Sequence, residues 1–139
     1  MKKLTIYEAG YAILKLPALL DYDEPITALD DRAIRILESC LEQPFTTFNQ
    51  KYAYRYISHK AAVMFYLIIK NHPLENGNKR SAVAVTLTFL FKNKRWLDMT
   101  PDSLYQTACE VAASPASDSD LEISKLNKLF KTKMVTVKD

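Results

Sequence analysis

Apolar residues recur along most of this chain with the period of helices. Ile13, Leu16, Leu19 and Leu20 mark a first helix from about Thr5, broken or bent near Pro17 because a proline ring cannot continue a helical backbone. Pro25 and Thr27 introduce a second. On it Leu29, Ala33, Ile36, Leu37, Cys40 and Leu41 recur at i, i+4, i+7 and i+8, one apolar stripe of an amphipathic helix. Pro44 ends that stripe. Residues 44–54 then mix Thr, Phe, Asn, Gln and Tyr without helical period, the pattern of an exposed loop or a short extended flap, and Tyr52, Tyr54 and Tyr56 alternate as in an extended segment.

The next two segments differ in kind. Residues 61–69 and 82–91 are apolar on nearly every face, and a helix apolar all round must be surrounded by others. These two form the centre of a helical bundle. Thr100-Pro101 has the residue types that start a helix, with Leu104, Ala108, Val111 and Ala112 as its buried face. Ser119 and Glu122 have the spacing of a capping box that opens a last helix, with Ile123, Leu126 and Phe130 inward and Lys125, Lys128, Lys131 and Lys133 on a solvated face. The expected fold class is all-α, in a single domain over residues 1–139.

Composition sharpens this picture. The chain has 2 Gly, where average usage would give about ten, so all-β sandwiches and glycine-rich nucleotide-binding α/β folds are disfavoured. A net charge of +3 permits an anionic ligand without demanding nucleic acid. Cys40 and Cys109 lie in apolar helical patterns, which reads as reduced core thiols of a cytoplasmic protein. The run Ala61 to Ile69 is the longest apolar one and far shorter than the ~20 residues of a membrane span.

The polar segment between the two central helices, residues 70–81, carries a histidine, a glycine, three asparagines, a glutamate and the pair Lys79-Arg80. Pro73 forbids helix continuation, so His72 is fixed at a helix end, where an imidazole can act as a general base. Gly77 permits a concave turn of exposed amides, and Asn78 is a suitable N-cap for the next helix, whose N-terminus attracts anions. Lys79 and Arg80 add two cations to this cradle, and Glu75 and Asn76 offer oxygen ligands for Mg²⁺. Taken alone, the pattern also fits a plain helix–loop–helix connection. His59 reads as a helix-start residue, Trp96 as packed at the bundle edge, and Lys92, Lys94 and Arg95 as cations at a helix C-terminus.

His-Pro-Leu-Glu-Asn-Gly-Asn-Lys-Arg, positions 72–80, resembles the signature of the Fic/Doc family and in particular its Doc (death-on-curing) branch. Fic enzymes generally read H-P-F-x-[D/E]-G-N-G-R-x-x-R. This chain has Lys79 for the second signature glycine and Val83 for the last arginine, as the Doc branch does. The stretch Leu37-Glu-Ser-Cys-Leu-Glu-Gln-Pro44, Ala61-Ala62 upstream of Asn71, and Ser81-Ala82 after the arginine extend the likeness over roughly residues 30–115.

The resemblance implies an all-helical Fic fold with His72 as the base that deprotonates a protein hydroxyl. It implies Gly77, Asn78, Lys79 and Arg80 as the phosphate and nucleotide site, and Phe45, Thr46, Thr47 and Phe48 as a flap contacting substrate. It further implies transfer of the γ-phosphate of ATP, with Mg²⁺, to a threonine of elongation factor Tu, and hence arrested translation by a toxin restrained by a Phd-like antitoxin. The chain lacks the S/T-x-x-x-E-G/N pattern of self-inhibited Fic enzymes, in keeping with restraint by a partner. Two positions depart from the pattern. Asn76 replaces the metal-binding acid, which should lower metal affinity unless Glu75 or water compensates, and Leu74 replaces a phenylalanine at modest packing cost. AMP transfer, a non-catalytic binding module and a helical nucleic-acid-binding domain are the alternatives.

Overall fold

The computed structural model describes residues 1–15 and 29–138. The expectations for Leu16, Pro17, Leu19, Leu20, Pro25 and Thr27 lie outside those residues. The described elements are helices α1 (Ile6–Lys15), α2 (Asp31–Glu42), α3 (Ile57–Asn71), α4 (Asn78–Lys92), α5 (Pro101–Ala113) and α6 (Ser119–Lys133), with strands β1 (Thr47–Phe48), β2 (Lys51–Tyr52), β3 (Arg95–Leu97) and β4 (Met134–Thr136). The fold is all-α with two small antiparallel ribbons, β1–β2 and β3–β4.

The all-round apolar segments become α3 and α4, which pack on each other; α3 also meets α6 and α5, and α4 meets α1 and α5. Ala61, Ala62, Met64, Phe65, Ile68 and Ile69 of α3 share one core with Ala82, Val85, Phe89 and Leu90 of α4. Phe65 stands edge-on to Phe130 of α6 at 5.5 Å between ring centroids. No helix among the described residues is long and apolar enough to cross a membrane.

The helix starts show which local signals acted. Thr5 and Glu8 form a reciprocal capping box, Thr5 N–H donating to Glu8 Oε1 at 2.9 Å and Glu8 N–H to Thr5 Oγ1 at 3.1 Å. Asp30 caps α2 by accepting from Ala33 N–H at 2.7 Å, so Leu29 of the expected stripe precedes the helix and packs on the core from outside it. Thr100 caps α5 as expected, but Ala112 is exposed and does not belong to its buried face. The Ser119–Glu122 box is not formed. A 3₁₀ turn over Ala116–Asp118 runs into α6 and makes Ser119 its first helical residue, while Glu122 pairs with Lys125 at 3.7 Å. Lys125, Lys128, Lys131 and Lys133 are exposed, and His59 lies in the first turn of α3.

The β3–β4 ribbon is a feature the helical reading missed. Lys94 adopts φ 60° and turns the chain so that Trp96 pairs with Val135 and lies edge-on to Phe91 at 6.1 Å. Trp96 therefore does sit at the bundle edge, but on a strand. Ahead of α3, residues 44–54 hold the end of a 3₁₀ turn and a hairpin closed by Asn49 and Gln50 at φ 51° and 66°, the left-handed pair of a two-residue turn.

Lys60 was unforeseen as a core residue. It is 1% exposed, its ammonium donates to the Tyr54 carbonyl, and it lies 4.0 Å from the Tyr52 ring centroid and 5.4 Å from that of Phe45. Burial holds the Lys60 amine below its ordinary pKa. Burial likewise pushes the Cys40 thiol up to about 11, keeping it an inert core thiol.

Glu8 ties α1 to α4 by accepting from Lys92 Nζ at 2.6 Å, and that hydrogen bond, with help from Thr5, holds its carboxyl below the ordinary value of 4.5. A folded pKa below the unfolded one means the native state binds fewer protons, so this contribution is present above pH 4.5 and is lost as acid protonates the folded carboxylate. Glu8→Gln should flatten the fall of the melting temperature below that pH. Parallel acid slopes for wild type and variant in thermal melts between pH 3 and 7 would contradict the assignment.

Candidate functional site

The loop between α3 and α4 is built by three backbone decisions. His72 ends α3 in the left-handed conformation at φ 47°, unusual for a residue before proline and of order 1–3 kcal/mol in strain. Pro73 and Leu74 then plunge inward, Leu74 to 4% exposure, so the slot expected for a larger apolar residue is filled by leucine. Gly77, at φ 78°, turns the chain into α4.

Asn78 holds the loop shut. It is the first residue of α4 and not its cap, Gly77 being in that position. Its side-chain Oδ1 accepts from Leu74 N–H at 2.9 Å, its Nδ2 donates to the Leu74 carbonyl at 2.9 Å, and the same Nδ2 lies 3.3 Å from His72 Nδ1. With its amide spent on the loop, Asn78 offers an anion its backbone N–H at a helix N-terminus. Asn78→Ala should lower stability by about 1–3 kcal/mol, because it orphans a buried N–H and a buried C=O of Leu74. An unchanged thermal midpoint would show that the loop does not need this clamp.

A cleft of about 250 Å³ opens here, walled on one side by His72 and residues 75–80 and on the other by Ile69, Tyr105 and Ala112. His72 and Glu75 are exposed, Lys79 is half-buried, and Arg80 is 5% exposed. Arg32 of α2 reaches the rim, its Nη1 donating to the His72 carbonyl at 3.5 Å. The Oδ1 of Asn76 is buried with no hydrogen-bond partner, an acceptor awaiting a donor or a cation. Among the described residues no three His, Cys, Asp or Glu side chains gather as a metal cluster. A ligand metal would have to draw most of its shell from elsewhere.

The structure thus brings together His72, Glu75, Asn76, Gly77, Asn78, Lys79 and Arg80 in one cleft. It does not bring the flap residues there. Phe45 is 7% exposed, edge-on to Phe89 at 5.9 Å, and anchors the hairpin instead of presenting its ring; Thr46, Thr47 and Phe48 are exposed, and none of the four lines the cleft. Sequence reasoning missed Tyr105, whose wall position depends on how α5 packs on α4 and leaves no local signal. Ala112 had been assigned to the core, and it is the cleft that exposes it.

The chain's sequence matches the profile of the Fic/DOC family over residues 12–90, a span that includes α2, the hairpin, α3, the loop and most of α4. No curated protein and no solved structure matches it.

Proposed function

This chain belongs to the Fic/DOC family, and from that premise we propose that it transfers the γ-phosphate of ATP to a protein hydroxyl. The carrying observation is Lys79. It stands half-buried in the wall of the cleft, between the Gly77 turn and buried Arg80, where Fic enzymes that transfer AMP have a glycine. A lysine side chain there takes space an α,β-diphosphate would need and supplies a cation for a terminal phosphate.

The chain's own groups divide the work. The first amides of α4 and the cations of Lys79 and Arg80 bind and orient the transferred phosphoryl group, which is most of what phosphoryl transfer requires of a protein. His72, exposed at the rim, takes the acceptor's proton at Nε2. With Asn78 Nδ2 donating to Nδ1, the neutral ring carries its proton on Nε2. Proton uptake there requires the other tautomer, and the long 3.3 Å contact is the one that gives way.

Asn76 Oδ1 and the Glu75 carboxylate suit a Mg²⁺ ion that takes its remaining ligands from phosphate and water. When bound, the ion would neutralise phosphate charge. Asn76→Asp, which adds a ligand charge, should lower the half-saturating Mg²⁺ concentration by about tenfold, read from transfer rates across a metal titration. No change would remove Asn76 from the metal site.

The acceptor implied by the Doc-branch likeness is a threonine of elongation factor Tu, and the implied restraint is a Phd-like antitoxin. A second reading, a non-catalytic Fic-fold binding module, is favoured by Asn76 standing where the family has an acid. One experiment separates them: ATP labelled at the γ- or the α-phosphate is incubated with Mg²⁺, a bacterial lysate and purified elongation factor Tu. Label on protein from the γ position alone is expected. Label from the α position would mean AMP transfer, and none from either, with Asn76→Asp equally silent, would favour the binding module.

A further inference from the structure

We propose that the corner formed by the hairpin, the N-terminal end of α3 and the C-terminal half of α6 is a docking surface for an acidic peptide segment of a partner protein. It lies at the end of α3 opposite to His72 and shares no lining residue with the catalytic cleft. The transfer reaction therefore has no part in the argument.

Two cations converge on one exposed ring. Arg55 Cζ is 5.6 Å and Lys131 Nζ 5.9 Å from the centroid of Tyr56, which is 61% exposed. These charges are no more than about 12 Å apart, comparable to the screening length in dilute salt, so each raises the potential at the other. Lys51 and Arg55 then line an open cavity of about 430 Å³ with Gln50 and Tyr52. Beneath that wall sits the buried Lys60 ammonium against the other side of the hairpin, a fourth positive charge.

Among the described residues no carboxylate answers them. Among the described residues Lys51, Arg55, Lys60 and Lys131 form no ion pair, and the cavity lining contains no acid. The acids of α6 lie in its first turn, Asp120 and Glu122, the latter about 14 Å along the axis from Lys131. Four cations grouped without counter-charge leave a positive surface, and its complement is an anion.

The rings indicate which anion. Single-stranded nucleic acid is held by bases stacked on open aromatic faces. Here Tyr56 already carries two cations and Tyr52 carries Lys60, with Phe45 at its edge. In the cavity lined by Gln50, Lys51, Tyr52 and Arg55, what remains beside the Tyr52 ring is two point charges, an amide and a phenol, which suits the spaced carboxylates of a Glu- or Asp-rich chain; Phe48, exposed on the same hairpin, lies outside that lining.

The test uses the full chain and a fluorescein-labelled octaglutamate peptide, followed by anisotropy at several salt concentrations. Wild type should bind with affinity that falls as salt rises, and Arg55→Glu/Lys131→Glu should weaken binding more than tenfold. Lys15→Glu/Arg35→Glu, of identical net charge and on exposed positions, Arg35 one helical turn from the Arg32 that reaches the His72 carbonyl at the opposite end of α3, should stay within about twofold. Circular dichroism and melting would establish that each variant is folded, and Arg55→Gln serves if the double variant is not, with a severalfold loss expected. The proposal fails if the remote pair weakens binding equally, or if octaglutamate does not bind wild type. It fails as well if an eight-residue oligouridylate displaces the peptide at lower concentration, which would make the corner a nucleic-acid surface.

Discussion

His72→Ala should reduce phosphoryl transfer by about 10²–10⁴-fold, the usual worth of a positioned acid–base group. The loss should fall on the rate of transfer and not on nucleotide affinity, because phosphate is gripped by the α4 N-terminus, Lys79 and Arg80, which the substitution leaves in place. Stability should change little. The imidazole is exposed and its one polar contact in the described structure, to Asn78, is long at 3.3 Å. Only glycine would relieve the left-handed backbone at position 72, so alanine keeps it under the same strain. Initial rates at saturating ATP, beside a thermal melt, separate these quantities. A variant that melts as wild type yet transfers at an undiminished rate would remove His72 from the chemistry.

Phe89→Ala should be among the most damaging truncations of the core. Phe89 is fully buried in α4 and supports Phe45, which in turn bears the hairpin and the Lys60 ammonium. Truncating a buried phenylalanine costs about 3–5 kcal/mol from lost transfer energy and the cavity left behind. In a chain whose total stability is of order 5–15 kcal/mol, that is a large share. Urea denaturation should show the midpoint falling with an unchanged slope. A loss below about 1 kcal/mol would mean that the surrounding side chains collapse into the space.

What the sequence made legible follows from how local each signal is. The continuous apolar runs of α3 and α4 dictated buried helices, and Pro73 and Gly77 dictated the break between them, so the loop and its charged content could be placed before any coordinates. Asn78 illustrates the limit. Its identity announced a helix start, but whether its amide would cap, bind phosphate or clamp Leu74 depends on where the inward-turned Leu74 backbone lands. Lys60 was invisible for a similar reason. A lysine before an apolar run reads as a polar boundary, and only the return of the hairpin places Phe45 and Tyr52 around it. The β3–β4 ribbon joins residues about forty positions apart in three-residue strands too short to carry a period. Phe45 reads as part of an exposed flap, but the 3₁₀ turn of Gln43–Phe45 points its ring at α4, a choice made by packing.

The single helix α3 has one end at Tyr56 and the other at His72, so it acts as a ruler between them. The 16 residue steps from Tyr56 to His72 set a separation of about 24 Å along the axis. A partner engaging both ends at once would need at least about seven or eight extended residues between its acidic stretch and its reacting hydroxyl, at roughly 3.3 Å each. Shorter tethers could occupy one end only. For a tether that spans the gap, attachment at one end raises the local concentration of the hydroxyl at the other into the millimolar range. Acceptor choice would then be governed by spacing within the partner chain as well as by the residues around its hydroxyl.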